Sequence, residues 1–122
     1  MKIQNFTDLD AWKHAHKLFI LIYKLTKEFP KSELFGFTSQ LRRAALSISS
    51  NIAEGFGRQS PKEKIQFYFI YLGSVLEVQN QIIAARDVGL INSEEFNSAW
   101  NQTVTTQKVI NGLIRSIRSS MP

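Results

Sequence analysis

Cysteine is absent from this chain of 122 residues, so no disulfide, zinc–thiolate centre or thiol nucleophile can be built from it. Histidine occurs only as His14 and His16, and proline only as Pro30, Pro61 and Pro122. No apolar run approaches the roughly 18 residues that a membrane-spanning helix needs. The densest patch, Phe67 to Leu72, is short and carries tyrosines. The opening Met1-Lys2-Ile3-Gln4-Asn5 lacks the apolar core of a secretory signal. These absences lead to the expectation of a cytoplasmic protein with no membrane partner. Carboxylates are scarce as well: 10 Asp and Glu stand against 15 Lys and Arg, a formal net charge of +5. Such an excess permits contact with nucleic-acid phosphates without demanding it.

What is present is helical periodicity in a globular composition, 43% hydrophobic and 20% charged. The length suits one domain with one core, here taken as residues 1–122. The chain is organised around Gln40 to Gly55, where Leu41, Ala44, Ala45, Ile48 and Ile52 recur at steps of three and four. A second line holds Arg43, Ser47, Ser50 and Glu54, with Asn51 at its edge. Small residues along this helix would let a neighbour approach closely, and Gly55 and Gly57 are expected to end it as left-handed stops.

Three more helices are expected around it. The first begins near Asp8 or Asp10, either of which can cap it, and runs to about Glu28 before Phe29-Pro30. Its apolar face is read as Leu9, Trp12, His16, Phe19, Ile22, Tyr23 and Leu25. Phe35 and Phe37 are expected to close the end of the core ahead of a cap at Thr38 or Ser39. Ser60-Pro61-Lys62-Glu63 has the form of a capping box with proline in the first turn. The third helix then runs to about Val88, with Ile65, Phe69, Leu72, Leu76, Gln79 and Ile83 as its stripe, widened by Tyr68, Val75 and Ile82. Gly89 stops it, and Asn92 or Ser93 caps the fourth, which continues through Phe96, Trp100, Thr103, Gln107, Ile110, Ile114 and Ile117. The fold class is all-α, an antiparallel up-down-up-down four-helix bundle. Phe67, Tyr68, Phe69 and Tyr71 put large apolar groups nearly all round the third helix, which argues against a monomer.

Several chemistries find no support. Di-iron bundles need Glu-x-x-His pairs, and this chain has none. His14 and His16 are two apart and point to different sides of a helix, unlike the i, i+4 pair of a helical zinc site. His16 is read as a hydrogen-bonded core or interface residue. Ribonucleases of the HEPN type resemble the chain in size and class only, since they carry an arginine followed by a histidine on a late helix. There is no glycine-rich phosphate loop, because Gly55-Phe56-Gly57 follows a helix. The chain is expected to be no enzyme and to hold no metal and no cofactor.

The run QLRRAALSISSNIAEG, preceded by FTDLDAWKHAHKL and FPKSELFGF and followed by a serine-proline helix start and GSVLE, carries a resemblance. It resembles the 23S rRNA intervening-sequence protein family, also called the four-helix bundle protein family. It is similar too to the accessory variability determinant of diversity-generating retroelements. The resemblance covers roughly Phe6 to Leu90, with a weaker tail. It implies a homopentameric ring, and a nucleic-acid enzyme such as a reverse transcriptase as a partner.

Two sets of residues then stand out. Lys13, Lys17, Lys24 and Lys27 project from one side of the first helix; with Arg42, Arg43, Arg58 and Lys62 they are the candidate nucleic-acid-binding residues, with Lys64 beside the last. Their plain alternative is solvated surface, but a ring of copies would multiply one chain's weak field. No base-reading motif accompanies them, so binding to structured RNA or an RNA–DNA hybrid would be driven by shape and charge. The other set, Arg43, Asn51, Glu54, Ser74 and Glu77, matches a recurrent signature of the resembling family. It is read first as a structural polar network, buried or between subunits, and second as a ligand site. The leading expectation is a non-enzymatic oligomer with a nucleic-acid-binding surface; the alternative is a protein–protein scaffold or adaptor.

Overall fold

The computed structural model describes residues 2–122, so Met1 of the opening segment lies outside the described residues. Four long helices carry the structure: α1 (Asp10–Thr26), α2 (Ser39–Phe56), α3 (Pro61–Asp87) and α4 (Ser93–Ser119). No strand occurs among the described residues. Each helix packs on the next, and α4 packs back on α1, closing a four-helix bundle around one core. Contacts run antiparallel. Ser47 of α2 meets Ser74 of α3 while Gly55, further along α2, meets the earlier Tyr68.

Alanines decide how closely α1 and α2 approach. Ala11, Ala15, Leu18 and Ile22 form the inner stripe of α1, facing Leu41, Ala44, Ala45, Ile48 and Ile52 of α2 across the core. The α2 stripe is the one that three-and-four spacing picked out. On α1 the true stripe is rotated from the expected one: His16 and Tyr23 are exposed, and Leu9, Trp12, Phe19 and Leu25 only flank the core. The α3 stripe is shifted onto the residues expected only to widen it, with Ile65 and Gln79 buried as expected. Tyr68, Tyr71, Val75, Val78 and Ile82 are buried, whereas Phe69 and Leu76 stand 45% and 56% exposed. On α4 the buried line is Ala99, Gln102, Thr103, Thr106, Ile110 and Ile114. Phe96, Trp100 and Ile117 pack at its margin.

The ends follow local chemistry. Neither expected aspartate caps α1. Asn5 and Asp8 instead form a capping box around a single 3-10 turn, Phe6–Asp8, and α1 starts after Leu9. The backbone N–H groups of Gln4 and Asn5 both donate to Asp8, holding its carboxyl below the usual carboxylate range. Between α1 and α2 the chain makes one 3-10 turn and a wide π-type turn, Leu34–Thr38, kinked at Gly36. The kink throws Phe35 outward, 91% exposed, while Phe37 packs on the core. Only one ring of the expected pair closes the core.

Gly57 ends α2 in right-handed geometry, and Gly55 lies buried inside the helix. A Cβ on Gly55 would fall 2.8 Å from Tyr68 Cε1, so close approach explains this glycine where a left-handed stop was expected. Ser60 accepts from the Glu63 N–H at 3.4 Å, one half of the expected box. Gly89, at φ 85°, is the true left-handed stop. Leu90 N–H reaches back to Ala85 O at 2.8 Å, and Ile91 is buried behind it. Asn92 and Glu95 close a full capping box on α4.

Candidate nucleic-acid interface

At 100° per residue, Lys13, Lys17, Lys24 and Lys27 fall on the side of α1 opposite Ala15, Leu18 and Ile22. All four are exposed. Core packing therefore determines the line, because burying the alanine stripe turns the lysines outward. Among the described residues the only ion pair joins the neighbours Arg86 and Asp87 at 3.0 Å. The α1 lysines thus carry their charge without a bound carboxylate.

Tyr23 ties this line to α2. The Arg42 guanidinium lies 4.0 Å from the centre of the Tyr23 ring, and Lys27 Nζ lies 5.5 Å from it. Arg42 Nε donates to Thr26 Oγ1 at 2.8 Å, and Nη2 points to the Tyr23 carbonyl at 3.4 Å. The arginine is anchored along one edge, and the rest of its fork remains available. Sequence reading missed Tyr23 in this role, assigning it to the apolar face. Its position four residues before Lys27 is the signal that was present, since residues so spaced are neighbours on a helix.

The remaining expected cations are dispersed. Arg43 is exposed, turned about 100° from Arg42 toward the α3 side of α2. Arg58 stacks on Phe67 at 4.6 Å, and Lys62 is exposed beside it. These two sit beyond the far end of α2, a helix length of about 24 Å from Arg42. Lys64 is withdrawn from the set: its ammonium donates to the Phe56 carbonyl at 2.6 Å and points to the Gly55 carbonyl at 3.4 Å, closing the end of α2. Partial burial lowers its pKa from the ordinary lysine value.

The second expected set is laid out on the outer α2–α3 surface. Arg43, Glu54 and Glu77 are exposed, and Asn51 and Ser74 are half-buried. Ser74 pairs with Ser47, whose hydroxyl donates to it at 2.8 Å, and Glu77 accepts weakly from Gln81 at 3.5 Å. Within one chain no hydrogen bond joins the five to one another among the described residues. A network buried inside the chain is therefore not what the fold builds. The same surface presents Leu46 and Ile70, each about half or more exposed, while Leu76 and Phe69 turn toward the α4 side of α3.

Polar groups do enter the core elsewhere. Gln79 donates to Thr103 at 3.0 Å, linking α3 to α4, and Gln102 and Thr106 both reach the His14 carbonyl, at 3.0 and 3.3 Å. His14, not His16, is the histidine at a helix contact, with Nδ1 3.4 Å from Gln102 Nε2. His16 is exposed and stacks on Trp12 at 4.7 Å. Tyr68 and Tyr71 are fully buried. Burial pushes the Tyr68 hydroxyl up to about 12, and raises Tyr71 further, with Tyr68 and Glu54 adding to the rise. Among the described residues Tyr71 Oη makes no hydrogen bond of ordinary geometry, although the nearby Gly55 backbone partly offsets the rise. Among the described residues no three His, Asp or Glu side chains gather as a metal site would require, and no helix is long and apolar enough to cross a membrane.

A single core, four helices and an unpaired basic strip along α1 define a small all-α bundle protein. The chain belongs to the 23S rRNA-intervening sequence protein family, whose model matches residues 7–112. That match runs from the first turn into the second half of α4, further than the motifs quoted from the sequence. The chain matches no curated protein.

Proposed function

We propose that the protein is a non-enzymatic, cytoplasmic homo-oligomer, a pentamer by preference, whose basic surface holds structured RNA or an RNA–DNA hybrid for a nucleic-acid enzyme such as a reverse transcriptase. The observation that carries the reading is the α1 strip: Lys13, Lys17, Lys24 and Lys27, all exposed and none paired with a carboxylate, extended onto α2 by Arg42. Repeated around an assembly, such strips form a continuous field toward phosphates, bound with steep salt dependence. The family's name refers to an intervening sequence of 23S rRNA, which agrees with an RNA-related role.

Self-association is supported by the outer face of α3. Ile70 and Leu76 are 57% and 56% exposed, Phe69 is 45% exposed, and Gly73 between them has open space where a side chain would stand. Contiguous apolar exposure of this kind marks an association surface. The polar set Arg43, Asn51, Glu54, Ser74 and Glu77 borders the α2 edge of that face beside Ile70, where a second copy would complete the pairing that one chain leaves open. The same face supports the second reading, a scaffold that binds other proteins.

Light scattering with and without structured RNA tests the proposal. A species near five times 14.0 kDa that captures RNA at low salt and releases it at high salt is the expected result. Reversal of charge at Lys13, Lys17 and Lys24 should abolish capture and leave the assembly intact. RNA retention unchanged by that reversal would overturn the nucleic-acid reading in favour of the scaffold.

A further inference from the structure

Where α1 turns into α2, the surface holds a concavity of about 220 Å³ whose lining includes Thr26, Lys27, Lys31, Leu34 and Arg42. Three of its walls are cations, and none is a carboxylate. The acidic residues nearest in sequence do not neutralise it. Glu28 is exposed and unpaired, and Glu33 lines a separate concavity with Gly36, Phe37 and Gln40. Three like charges converging on a hollow repel one another unless an anion occupies it. Arg42 is already oriented, held by Thr26 and stacked on Tyr23. Its planar fork suits a phosphate.

The rest of the lining is largely apolar and includes Leu34, 49% exposed. The next residue, Phe35, stands at the rim by its place in the chain and is 91% exposed. A lone exposed phenylalanine means little by itself. Beside a cationic hollow it completes the pair of features that holds single-stranded nucleic acid: a charged seat for the backbone and a flat ring for a base.

We propose that this corner takes one unpaired nucleotide, its phosphate seated on Arg42, Lys27 and Lys31 and its base stacked on Phe35. This rests on the nucleic-acid reading above and narrows it: the α1 strip follows a strand's backbone, whereas the corner distinguishes an unpaired nucleotide from a paired one. A base inside a duplex has no free face to offer Phe35.

Fluorescence anisotropy with a labelled, non-self-complementary RNA oligonucleotide, single-stranded or paired with its complement, tests the assignment. Phe35→Ala should weaken single-strand binding roughly 5- to 160-fold, the span one base stack is worth, and leave duplex binding unchanged. Lys31→Gln should weaken single-strand binding and lower its salt slope by about one phosphate contact. It also stands independent of Arg42→Gln, which removes a contact to Thr26 and could disturb the fold. Lys108→Gln, an exposed cation of α4 outside the candidate binding set, controls for general loss of charge, and light scattering of Phe35→Ala should show unchanged assembly.

Equal loss on single strand and duplex, or none on either, overturns the corner. If charge reversal along α1 still abolishes binding, the proposed function survives that failure. Wild-type protein that retains neither RNA at low salt overturns both. Inorganic phosphate that competes as tightly as the oligonucleotide, with Phe35→Ala silent, assigns the hollow to free phosphate and overturns the nucleotide.

Discussion

Gly55 and Gly73 sit in long helices for opposite reasons. At Gly55 the α2–α3 contact is so close that an added Cβ would meet Tyr68 at 2.8 Å and Phe67 Cβ at 3.0 Å. Gly55→Ala should therefore lower stability by about 1–3 kcal/mol, the range for overpacking a filled core, despite about 1 kcal/mol of improved helix propensity. A lower urea midpoint with an unchanged slope would show it. At Gly73 nothing lies within 4 Å of the added atom. Gly73→Ala should raise the stability of the dissociated chain by about 1 kcal/mol and weaken the proposed association, read by urea melts in dilute solution and by light scattering in concentrated solution. A variant that stabilised the chain and left association untouched would remove Gly73 from the interface.

Among the elements, α3 carries the strongest pH signature. Tyr68 and Tyr71 pack against each other with ring centres 5.9 Å apart, and both hydroxyls are held above the ordinary tyrosine value by burial. A phenol whose folded pKa is raised keeps its proton longer in the folded state. Its contribution is complete below about pH 10, where the unfolded tyrosine titrates, and is lost as pH climbs toward about 12. Stability should fall across that interval, with tyrosinate absorbance from this pair appearing together with loss of helical circular dichroism. Tyrosinate forming there while the helices stay intact would contradict the burial of these hydroxyls. At the start of α4, the reciprocal bonds between Asn92 and Glu95 are 2.8 and 2.9 Å. Asn92→Ala should cost about 1 kcal/mol, measured as a fall in thermal midpoint.

For the whole molecule, the test lies on the α2–α3 surface. Glu77 is exposed, and its one side-chain partner, Gln81, is at 3.5 Å. Glu77→Gln should change single-chain stability by no more than about 0.5 kcal/mol, as expected of an exposed site. In the proposed assembly the same change removes a charge from each interface. Loss of the large species in light scattering with unchanged urea stability is the expected outcome. An intact assembly with lost RNA capture would move Glu77 from the interface to a binding role.

Much of the architecture was written in the order of residues. Three-and-four spacing marked α2 down to its individual core positions, and the Ser60-Pro61, Gly89 and Asn92 signals placed three helix ends, because capping depends on a few neighbouring backbone groups. The outward line of α1 lysines was legible for the same reason. Rotation of the other stripes was not: Phe69 and Leu76 fit an apolar face as well as Tyr71 and Val78 do. Only the positions of α2 and α4 decide which of them is covered. The reason for Gly55 was equally hidden, since close approach involves Tyr68 of the next helix. The hollow lined by Lys27, Lys31 and Arg42 required two helices and the kinked turn between them. Local hydrogen bonding and periodicity are properties of the chain; which apolar surface becomes interior, and which cations converge, is set when the helices pack.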